Sequence, residues 1–390
     1  MTDMDRAYKF RLYPNDEQAK RLDYILMLCR MVYNAGLEQR RLAYHLQYKI
    51  RYRDQQSELP PLKDELETYK QVHSQVLQTT LQRLDKAYDN FFRRVALRKQ
   101  GHRIKVGFPR FKSEQRFRSI TYPQSGFEIL PDGHLELSKI GTIRMFKHRE
   151  VEGQIKTLTI KKDGIGDWYA IFTAELPDVP QREIKTKMGV DVGLESLITT
   201  SEGEKIEPPK FLRKSEERIK HYQREVSRKV KGSNNRKKAI RRLAKVHRKV
   251  ERQRDDFLHK TSRYLSKKAD LIVFEDLQIQ NMMRNHCLAK SIADASWGKL
   301  IRFTAYKVLE TGGQEINVDP YGTSQECSRC GAMTRISLSE RIHVCQCGFS
   351  IDRDWNASIC IERRVGSDRP EPVPTPVEML PLPLPLGGGK

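Results

Sequence analysis

The sequence predicts a multidomain α+β protein, because three different patterns follow one another along its 390 residues. Apolar residues recur first at helical spacing, then in short alternating strands, and finally in buried strands that alternate with helices. A chain of this length exceeds one hydrophobic core, so we expect about two to four domains. Four of its seven cysteines lie within 21 residues, and this clustering favours a metal site over disulfides.

The N-terminal part predicts a strand followed by helices and then by a small barrel. Ala7–Leu12 is typical of a short strand, and Asn15 or Asp16 can cap the helix that follows. Apolar side chains keep helical spacing over residues 14–100, which we expect to be a helical domain. Residues 101–186 carry short strands and glycine turns, as in "FEILPDGHLEL", so we expect a β-barrel that the first strand completes.

The C-terminal part predicts a mixed core and an irregular tail. "MGVDVGLESLITT" is typical of a buried strand running into a hairpin, and "ADLIVFEDL" of a second buried strand. Between them a helical hairpin breaks at "KGSNN", and "DWNASICIERRV" follows as a closing helix. Seven prolines lie between Pro370 and Pro385, so we expect residues 367–390 to form a disordered, polyproline-like tail.

The net charge indicates a polyanionic partner. Lys and Arg number 72 against 50 Asp and Glu, which gives +22. Residues 210–268 alone hold 23 of the basic and 6 of the acidic residues. The alternative is a solvated helical hairpin, but this segment has too few acidic residues for neutral pairing along a helix. We therefore expect the basic hairpin to face nucleic acid.

Hydropathy disfavours a membrane or secreted protein. Mean hydropathy is −0.68, and no stretch approaches the ~20 apolar residues of a membrane span. The first residues, "MTDMDRAYKFRLYP", lack the apolar core of a secretory signal. We expect a cytosolic protein with no membrane partner.

Three carboxylates occur at the ends of predicted core elements. Alternation along the first buried strand places Asp191 on one face with Gly189 and Gly193, which would leave room for hydrated Mg²⁺ and a nucleic-acid backbone. Glu275 ends the second buried strand, where an unpaired buried carboxylate is costly. Either residue alone is equally consistent with an exposed strand end. Asp354 lies at the start of the last helix, where helix capping is the alternative.

Together these elements are the arrangement by which an RNase H-like fold gathers three carboxylates around two metal ions. Two Mg²⁺ ions about 4 Å apart would align a nucleophile with a phosphodiester. Asp352 competes with Asp354 for the third position. Capping suits Asp352 better, because it precedes the apolar pattern of the helix.

The cysteine cluster is predicted to bind zinc. Cys327 and Cys330 form C-x-x-C, and Cys345 and Cys347 form C-x-C after fourteen further residues. Four thiolates suit tetrahedral Zn²⁺, and since they leave no open position we expect a structural site. The tight C-x-C leaves two alternatives, a ligand set that uses His343 and a cluster without metal.

Nine segments spread over residues 5–365 resemble the TnpB family, the RNA-guided DNA nucleases of insertion sequences that are related to type V CRISPR effectors. Each segment alone is weakly specific, and jointly they are highly specific. They are "KFRLYPNDEQ", "VYNAGLEQR", "LDKAYDNFF", "GFPRFK", "GVDVGLESLITT", "FEDLQIQNM", "SIADASWGKL", "PYGTSQECSRCG" and "DRDWNASI".

The resemblance implies a wedge β-barrel, a helical recognition domain and an RNase H-like (RuvC) nuclease core with an inserted zinc knuckle. The implied domains are residues 1–13 with 101–186 for the barrel, 14–100 for recognition, 187–319 with 351–366 for the nuclease, and 320–350 for a zinc insert that binds target nucleic acid. It also implies a guide RNA from the transposon end, a double-stranded DNA target and a prokaryotic, nucleoid-associated location. We expect a monomer.

Matched residue by residue, the family's catalytic and Mg²⁺-binding triad falls on Asp191, Glu275 and Asp354. The third match is the aspartate two residues before the asparagine of D-x-N-A. The chain departs from the family at Ser358, where a second alanine is common, and in its C-x-C and its tail. None of these departures affects the triad.

The resemblance also implies nucleic-acid contacts. Gln78 corresponds to a position that reads the short DNA motif beside the target, and Thr121 and Tyr122 lie near a second such segment. Five residues of the basic hairpin are expected to bind phosphates: Arg236, Lys237, Lys238, Arg241 and Arg242.

The function expected from these features is RNA-guided DNA cleavage next to a short motif. The alternative is an RNA-guided DNA-binding regulator of transposition without significant cleavage, which the loss of a triad residue would favour. A DNA-joining transposase shares the carboxylates, but nothing in the sequence suggests a dimeric strand-transfer complex.

Overall fold

The computed structural model describes residues 4–337 and 340–365 and divides the chain into two compact units, Met1–Asp178 and Val179–Lys390. The expected proline-rich tail, residues 367–390, lies outside the described residues. Within the described part, no helix is both long and apolar enough to cross a membrane.

The first unit begins with a strand and four helices. Asn15 caps the first helix, because its side chain accepts a hydrogen bond from the Gln18 amide at 2.8 Å while the Gln18 side chain accepts one from the Asn15 amide at 3.0 Å. Of the two predicted caps, Asn15 is the N-cap and Asp16 is the first helical residue. These elements are β1 (Met4–Tyr13), α1 (Asp16–His45), α2 (Tyr52–Ser57), α3 (Leu59–Glu65) and α4 (Ser74–Lys99).

Seven strands of the first unit form one barrel-like antiparallel sheet. The six further strands are β2 (Ser119–Tyr122), β3 (Phe127–Ile129), β4 (Leu135–Leu137), β5 (Gly141–Phe146), β6 (Gln154–Lys162) and β7 (Trp168–Leu176). Their order is β2-β6-β7-β1-β5-β4-β3, so β1 completes the sheet at its centre, as predicted. Phe10 and Phe172 of the sheet share one hydrophobic core with Leu22 and Leu77 of the helices.

The second unit is built on a five-stranded mixed sheet. Its strands are β8 (Lys187–Val192), β9 (Ile198–Thr200), β10 (Lys205–Ile206), β11 (Leu271–Glu275) and β12 (Gln314–Val318). The order is β10-β9-β8-β11-β12, with β8, β11 and β12 parallel and the β8–β9–β10 meander antiparallel. A separate hairpin of β13 (Ile342–Val344) and β14 (Ser350–Asp352) lies next to the cysteines in sequence.

The helices of the second unit are α5 (Phe211–Lys214), α6 (Glu216–Ser227), α7 (Asn234–Lys268), α8 (Ile279–Met282), α9 (Ala289–Ala295), α10 (Trp297–Leu309) and α11 (Arg353–Arg363). The predicted break at "KGSNN" is confirmed, because α6 and α7 are separate helices joined there. Ser233 caps α7 by accepting a hydrogen bond from the Arg236 amide.

The two faces of the five-stranded sheet bury different partners. Met188 and Ile272 belong to a core with Leu300 of α10. Leu271 and Val273, which alternate with Ile272, pack on the opposite face against Ile361 of α11. Glu275 alternates in step with Leu271 and Val273, so it lies on the face of the sheet that α11 covers.

Candidate functional site

Asp191 and Glu275 end two neighbouring parallel strands on the same face of the sheet. Strand β11 pairs with β8 in a register that sets Val273 opposite Gly189. Asp191 and Glu275 each follow that pair by two residues, so alternation keeps both side chains on its face. The predicted positions of the two carboxylates near strand ends are observed, and the register of β8 with β11 places both on one face.

Helix α11 brings the third carboxylate, Asp354, to this face. The helix lies so close to β8 that a Cβ built on Gly189 would come within 2.0 Å of the Ser358 carbonyl oxygen and 2.6 Å of the Glu362 amide nitrogen. The expectation that the glycines leave room for hydrated Mg²⁺ and a nucleic-acid backbone is wrong for Gly189, since α11 fills that space. At Gly193 a Cβ would meet the Ser196 carbonyl oxygen at 2.9 Å.

The two aspartates before α11 have different partners. Asp352 is the N-cap, because its Oδ1 accepts hydrogen bonds from the amides of Asp354 at 3.2 Å and Trp355 at 3.1 Å. Its Oδ2 pairs with Lys205 Nζ at 2.7 Å. Asp354 lies inside the first turn, and its Oδ1 accepts hydrogen bonds from Arg353 Nε at 3.2 Å and Nη2 at 3.1 Å. The predicted capping role of Asp352 is confirmed.

Glu275 and Asp354 perturb the ionisation of Asp191. Burial, followed by the negative charges of Glu275 and Asp354, raises the pKa of Asp191 to about 8. Burial also raises the pKa of Glu275, which is only 9% exposed, although a hydrogen bond from Thr323 opposes that rise. Their oxygen donors suit Mg²⁺. Among residues 4–337 and 340–365, however, the four cysteines are the only group of three or more His, Cys, Asp or Glu side chains whose ligand atoms lie close enough together to share a metal ion.

The segment that leads into the cysteines is fixed to the acidic face by side chains that the sequence did not single out. The Thr323 hydroxyl donates a hydrogen bond to Glu275 Oε1. The buried Asn356 side chain accepts a hydrogen bond from the Ser328 amide at 2.9 Å and donates one to the Glu326 carbonyl at 2.7 Å. Thr323 and Asn356 lie in two of the family-like segments, "PYGTSQECSRCG" and "DRDWNASI". Membership in these segments was the only feature of the sequence that could have identified them.

The four predicted cysteines come together. Their sulfur atoms all lie within 4.8 Å of one another, with 3.8 Å between Cys327 and Cys347 and 3.5 Å between Cys330 and Cys345. Four thiolates each about 2.3 Å from a tetrahedral Zn²⁺ would lie about 3.8 Å apart, so the cluster fits zinc. All four cysteines are free of disulfides.

His343 does not join the cluster of sulfur atoms. Its ring is fully buried in β13, and neither ring nitrogen has a hydrogen-bond partner among the described residues. The geometry favours the four-cysteine ligand set over the alternative that uses His343.

Residues expected to bind phosphate occupy the first turns of α7. Arg236 Nη1 donates hydrogen bonds to the carbonyls of Val226 and Lys229, both at 3.1 Å, and so secures the end of α6. Arg242 pairs with Glu225 at 2.8 Å. Lys237, Lys238 and Arg241 are exposed.

The residues expected to lie near the DNA motif differ in accessibility. Gln78 and Thr121 are half-buried, and Thr121 Oγ1 shares a hydrogen bond with Thr159 Oγ1 at 2.9 Å. Tyr122 is only 1% exposed, and its ring packs against those of His73 and Phe127. In this structure Tyr122 is therefore a core residue.

Three family models match the chain. One described as "Probable transposase", from the IS605 OrfB proteins, matches residues 171–286, and a "Cas12f1-like, TNB domain" matches residues 297–361. A third, "Helix-turn-helix domain", matches residues 1–49. In the described part of that last range the structure has strand β1 and the single long helix α1.

Two curated relatives are similar over most of their length. A protein of Streptomyces pristinaespiralis named "Putative RNA-guided DNA endonuclease" is 36% identical over 92% of this chain and 89% of its own. The Escherichia coli K12 protein "Putative RNA-guided DNA endonuclease InsQ" is 32% identical over 87% of each chain. Among solved structures, a "mini-RNA-guided endonuclease CRISPR-Cas_phi3" covers 93% of this chain and 92% of its own, with 11% identity and a TM-score of 0.48.

Proposed function

This chain belongs to the TnpB (IS605 OrfB) family, and on that premise we propose that it is an RNA-guided DNA endonuclease of an insertion sequence. The observation that carries the proposal is the set of three carboxylates on the face of the sheet that α11 covers. Asp191, Glu275 and Asp354 are its proposed catalytic residues. Burial, together with the charges of Glu275 and Asp354, raises the pKa of Asp191, and a bound cation would favour its ionised form.

Each residue of the site has a separate proposed task. Asp191 and Asp354 would hold two Mg²⁺ ions, and Glu275 would complete the ligand set. Bound Mg²⁺ supplies charge neutralisation at the scissile phosphate and at the leaving oxygen. Thr323 orients the Glu275 carboxylate through its hydrogen bond, and Arg353 fixes the Asp354 carboxylate. These contacts hold the carboxylates in place before substrate binds.

The remaining parts of the chain are proposed to bind nucleic acid. Base pairing with a guide RNA from the transposon end supplies sequence specificity, as in related effectors. The barrel-like sheet and helices α1–α4 hold the RNA and the motif-bearing duplex, with Gln78 and Thr121 near the motif. Exposed cations of the α6–α7 hairpin, including Lys237, Lys238 and Arg241, contact phosphates without reading bases. The four cysteines, whose sulfur atoms lie within 4.8 Å of one another, would hold a structural Zn²⁺.

The test is cleavage of a motif-bearing duplex by the protein bound to its transposon-end RNA. Asp191→Ala should abolish cleavage and leave guide RNA binding intact. Asp191 is an acidic residue outside the basic hairpin that is proposed to bind phosphates, so its removal should not weaken that binding. Unchanged cutting by Asp191→Ala would rule out this assignment. If the wild-type complex binds the duplex and leaves both strands uncut with Mg²⁺ present, the protein is instead an RNA-guided DNA-binding regulator.

A further inference from the structure

Arg364, the C-cap residue of helix α11, hydrogen-bonds to three acceptors in one segment of the chain. Its Nη1 donates to the Asp319 carbonyl, and its Nη2 donates to the Tyr321 carbonyl at 2.7 Å and to Glu326 Oε2 at 3.2 Å. The three acceptors lie within residues 319–326, which connect strand β12 to the first of the four cysteines. One guanidinium therefore holds this segment at its start and at its end.

The 319–326 segment depends on such contacts because its first half gains little from burial. Strand β12 fixes its start, since Val318 pairs with Glu275 in the register of β11. Tyr321, however, is 80% exposed, so apolar packing contributes little there. Thr323, two residues later, donates the hydrogen bond to Glu275 Oε1. The position of its hydroxyl therefore depends on how the residues around Tyr321 are held.

Arg364 also acts electrostatically on Glu275. Burial raises the pKa of Glu275, whereas the hydrogen bond from Thr323 and the positive charge of Arg364 both oppose that rise. Charge alone would make Arg364 unfavourable for a metal ion at Glu275, because like charges repel. A role in positioning would have the opposite effect and favour the ion. The two roles can therefore be separated by the direction of a change in cation affinity.

We propose that Arg364 is a positioning residue, whose guanidinium holds residues 319–326 so that Thr323 orients the Glu275 carboxylate toward a divalent cation. Arginine suits this task because the two nitrogens of its planar fork bond to separate acceptors, whereas lysine offers a single ammonium. This role rests on the proposed function, since it takes Glu275 as a metal ligand. It is therefore tested by cation binding and by the order of the segment, not by DNA cleavage.

The first test measures Mn²⁺ binding to the full chain without nucleic acid, from the electron paramagnetic resonance signal of free Mn²⁺. Binding at the carboxylates is the part that Asp191→Ala removes. Arg364→Met should weaken that binding about tenfold, as the loss of a hydrogen bond to a charged group would. Tighter or unchanged binding would overturn the positioning role. The matched control, Arg302→Met, removes one exposed positive charge from α10, where Arg302 Nε bonds within its own helix, and should leave Mn²⁺ binding unchanged.

Two further variants separate geometry from charge and identify the route. Arg364→Lys keeps the charge but not the fork, so it too should bind Mn²⁺ about tenfold more weakly, and wild-type affinity in this variant would overturn the proposal. Arg364→Met combined with Thr323→Val should lose little more affinity than Thr323→Val alone, because both changes act through the orientation of Glu275. Losses that simply multiply would show that Arg364 does not act through Thr323 and would also overturn it.

Hydrogen exchange measures how firmly the segment is held, independently of any metal ion. In Arg364→Met the amides of residues 319–326 should exchange about tenfold faster than in the wild type, while α10 keeps its protection. If Arg364→Met does not fold, Arg364→Lys takes its place in both assays. Unchanged exchange in the segment would overturn the proposal. If the wild type binds no Mn²⁺ that Asp191→Ala removes, the proposed nuclease site fails, whereas hydrogen exchange still decides whether Arg364 holds the segment.

Discussion

The Thr323 hydroxyl donates a hydrogen bond to the Glu275 carboxylate, and so connects the segment before the cysteines to the end of strand β11. Both side chains are buried. Burial raises the pKa of Glu275, while this hydrogen bond favours its charged form. Thr323 therefore orients the carboxylate of a proposed catalytic residue.

Thr323→Val should reduce cleavage by roughly tenfold or more, because a hydrogen bond to a charged group contributes about 1.5–3 kcal/mol. The measurement is the single-turnover cleavage rate as a function of Mg²⁺ concentration. Thr323→Ser keeps the hydroxyl and should restore most of the rate. Equal rates for the valine and serine variants would show that the hydroxyl has no role in cleavage at this position.

Asp352→Asn and Asp354→Asn should differ sharply. Asparagine is a good N-cap, so the first change loses mainly the ion pair with Lys205, for about 0–1 kcal/mol, and should retain cleavage. The second removes a proposed metal ligand and should abolish cleavage with little change in melting temperature. Cleavage assays on both variants decide between the two aspartates, and the opposite result would move the third catalytic carboxylate to Asp352.

Gly189→Ala should destabilise the second unit, because the added Cβ would overlap the backbone of α11. Overpacking of this kind typically costs about 1–3 kcal/mol, and displacement of α11 should also remove cleavage. Gly298→Ala is the matched control, since its Cβ would meet only Ile279 Cδ1 at 3.5 Å within helix α10. Denaturant unfolding should show it unchanged or slightly stabilised. If Gly189→Ala unfolds at the same denaturant concentration as the wild type, the close approach of α11 to β8 at Gly189 is contradicted.

The metal-free protein should lose stability as pH rises from about 4 to about 8. The pKa of Asp191 is raised from 3.8 to about 8 in the folded state, so the folded chain retains a proton that the unfolded chain has released. The stabilisation is complete below the unfolded pKa and is lost as pH approaches the folded one. Asp191→Asn should reduce this dependence and melt higher than the wild type at pH 8 in chelator. If the difference in melting temperature between Asp191→Asn and the wild type does not change with pH, ionisation of Asp191 is not the cause.

Removal of zinc should unfold residues 320–350 and abolish DNA cleavage while guide RNA binding largely survives. The metal supplies folding free energy to so small a segment, at about 10–16 kcal/mol for a structural site. Hydrogen exchange before and after chelation measures the unfolding. Cys330→Ser should reproduce the loss, whereas Cys287→Ser, at an exposed cysteine outside the cluster, should not. Normal cleavage by zinc-free protein would show that the zinc knuckle is dispensable for DNA cleavage.

Local patterns were sufficient to predict the elements and several of their ends. The cap at Asn15, the α6–α7 break and the positions of Asp191 and Glu275 near strand ends follow from side-chain chemistry and strand alternation within short windows. That the two carboxylates share one face depends on the register of β8 with β11. The convergence of the four cysteines was predicted from their spacing in the sequence alone. The identity of the third carboxylate depended on the family resemblance, because Asp352 and Asp354 are both compatible with a helix start.

Features that depend on distant contacts could not be predicted. Nothing within "MGVDVG" indicates that the Gly189 face is filled by a helix whose sequence comes much later. Arg236 belongs to a basic run, yet its guanidinium secures the end of α6, and Tyr122 belongs to a strand whose buried face is fixed only by the packing of the first unit. Such roles require knowledge of which elements meet.

The position of α11 late in the chain has a consequence for biosynthesis. Strands β8 and β11 leave the ribosome well before the helix that covers Leu271 and Val273. At about 5–20 residues per second, that apolar face waits several seconds for its cover. A nascent chain stalled within the cysteine segment would expose the uncovered sheet to chaperones and proteases. Burial of this apolar face therefore requires the synthesis of α11 to be complete.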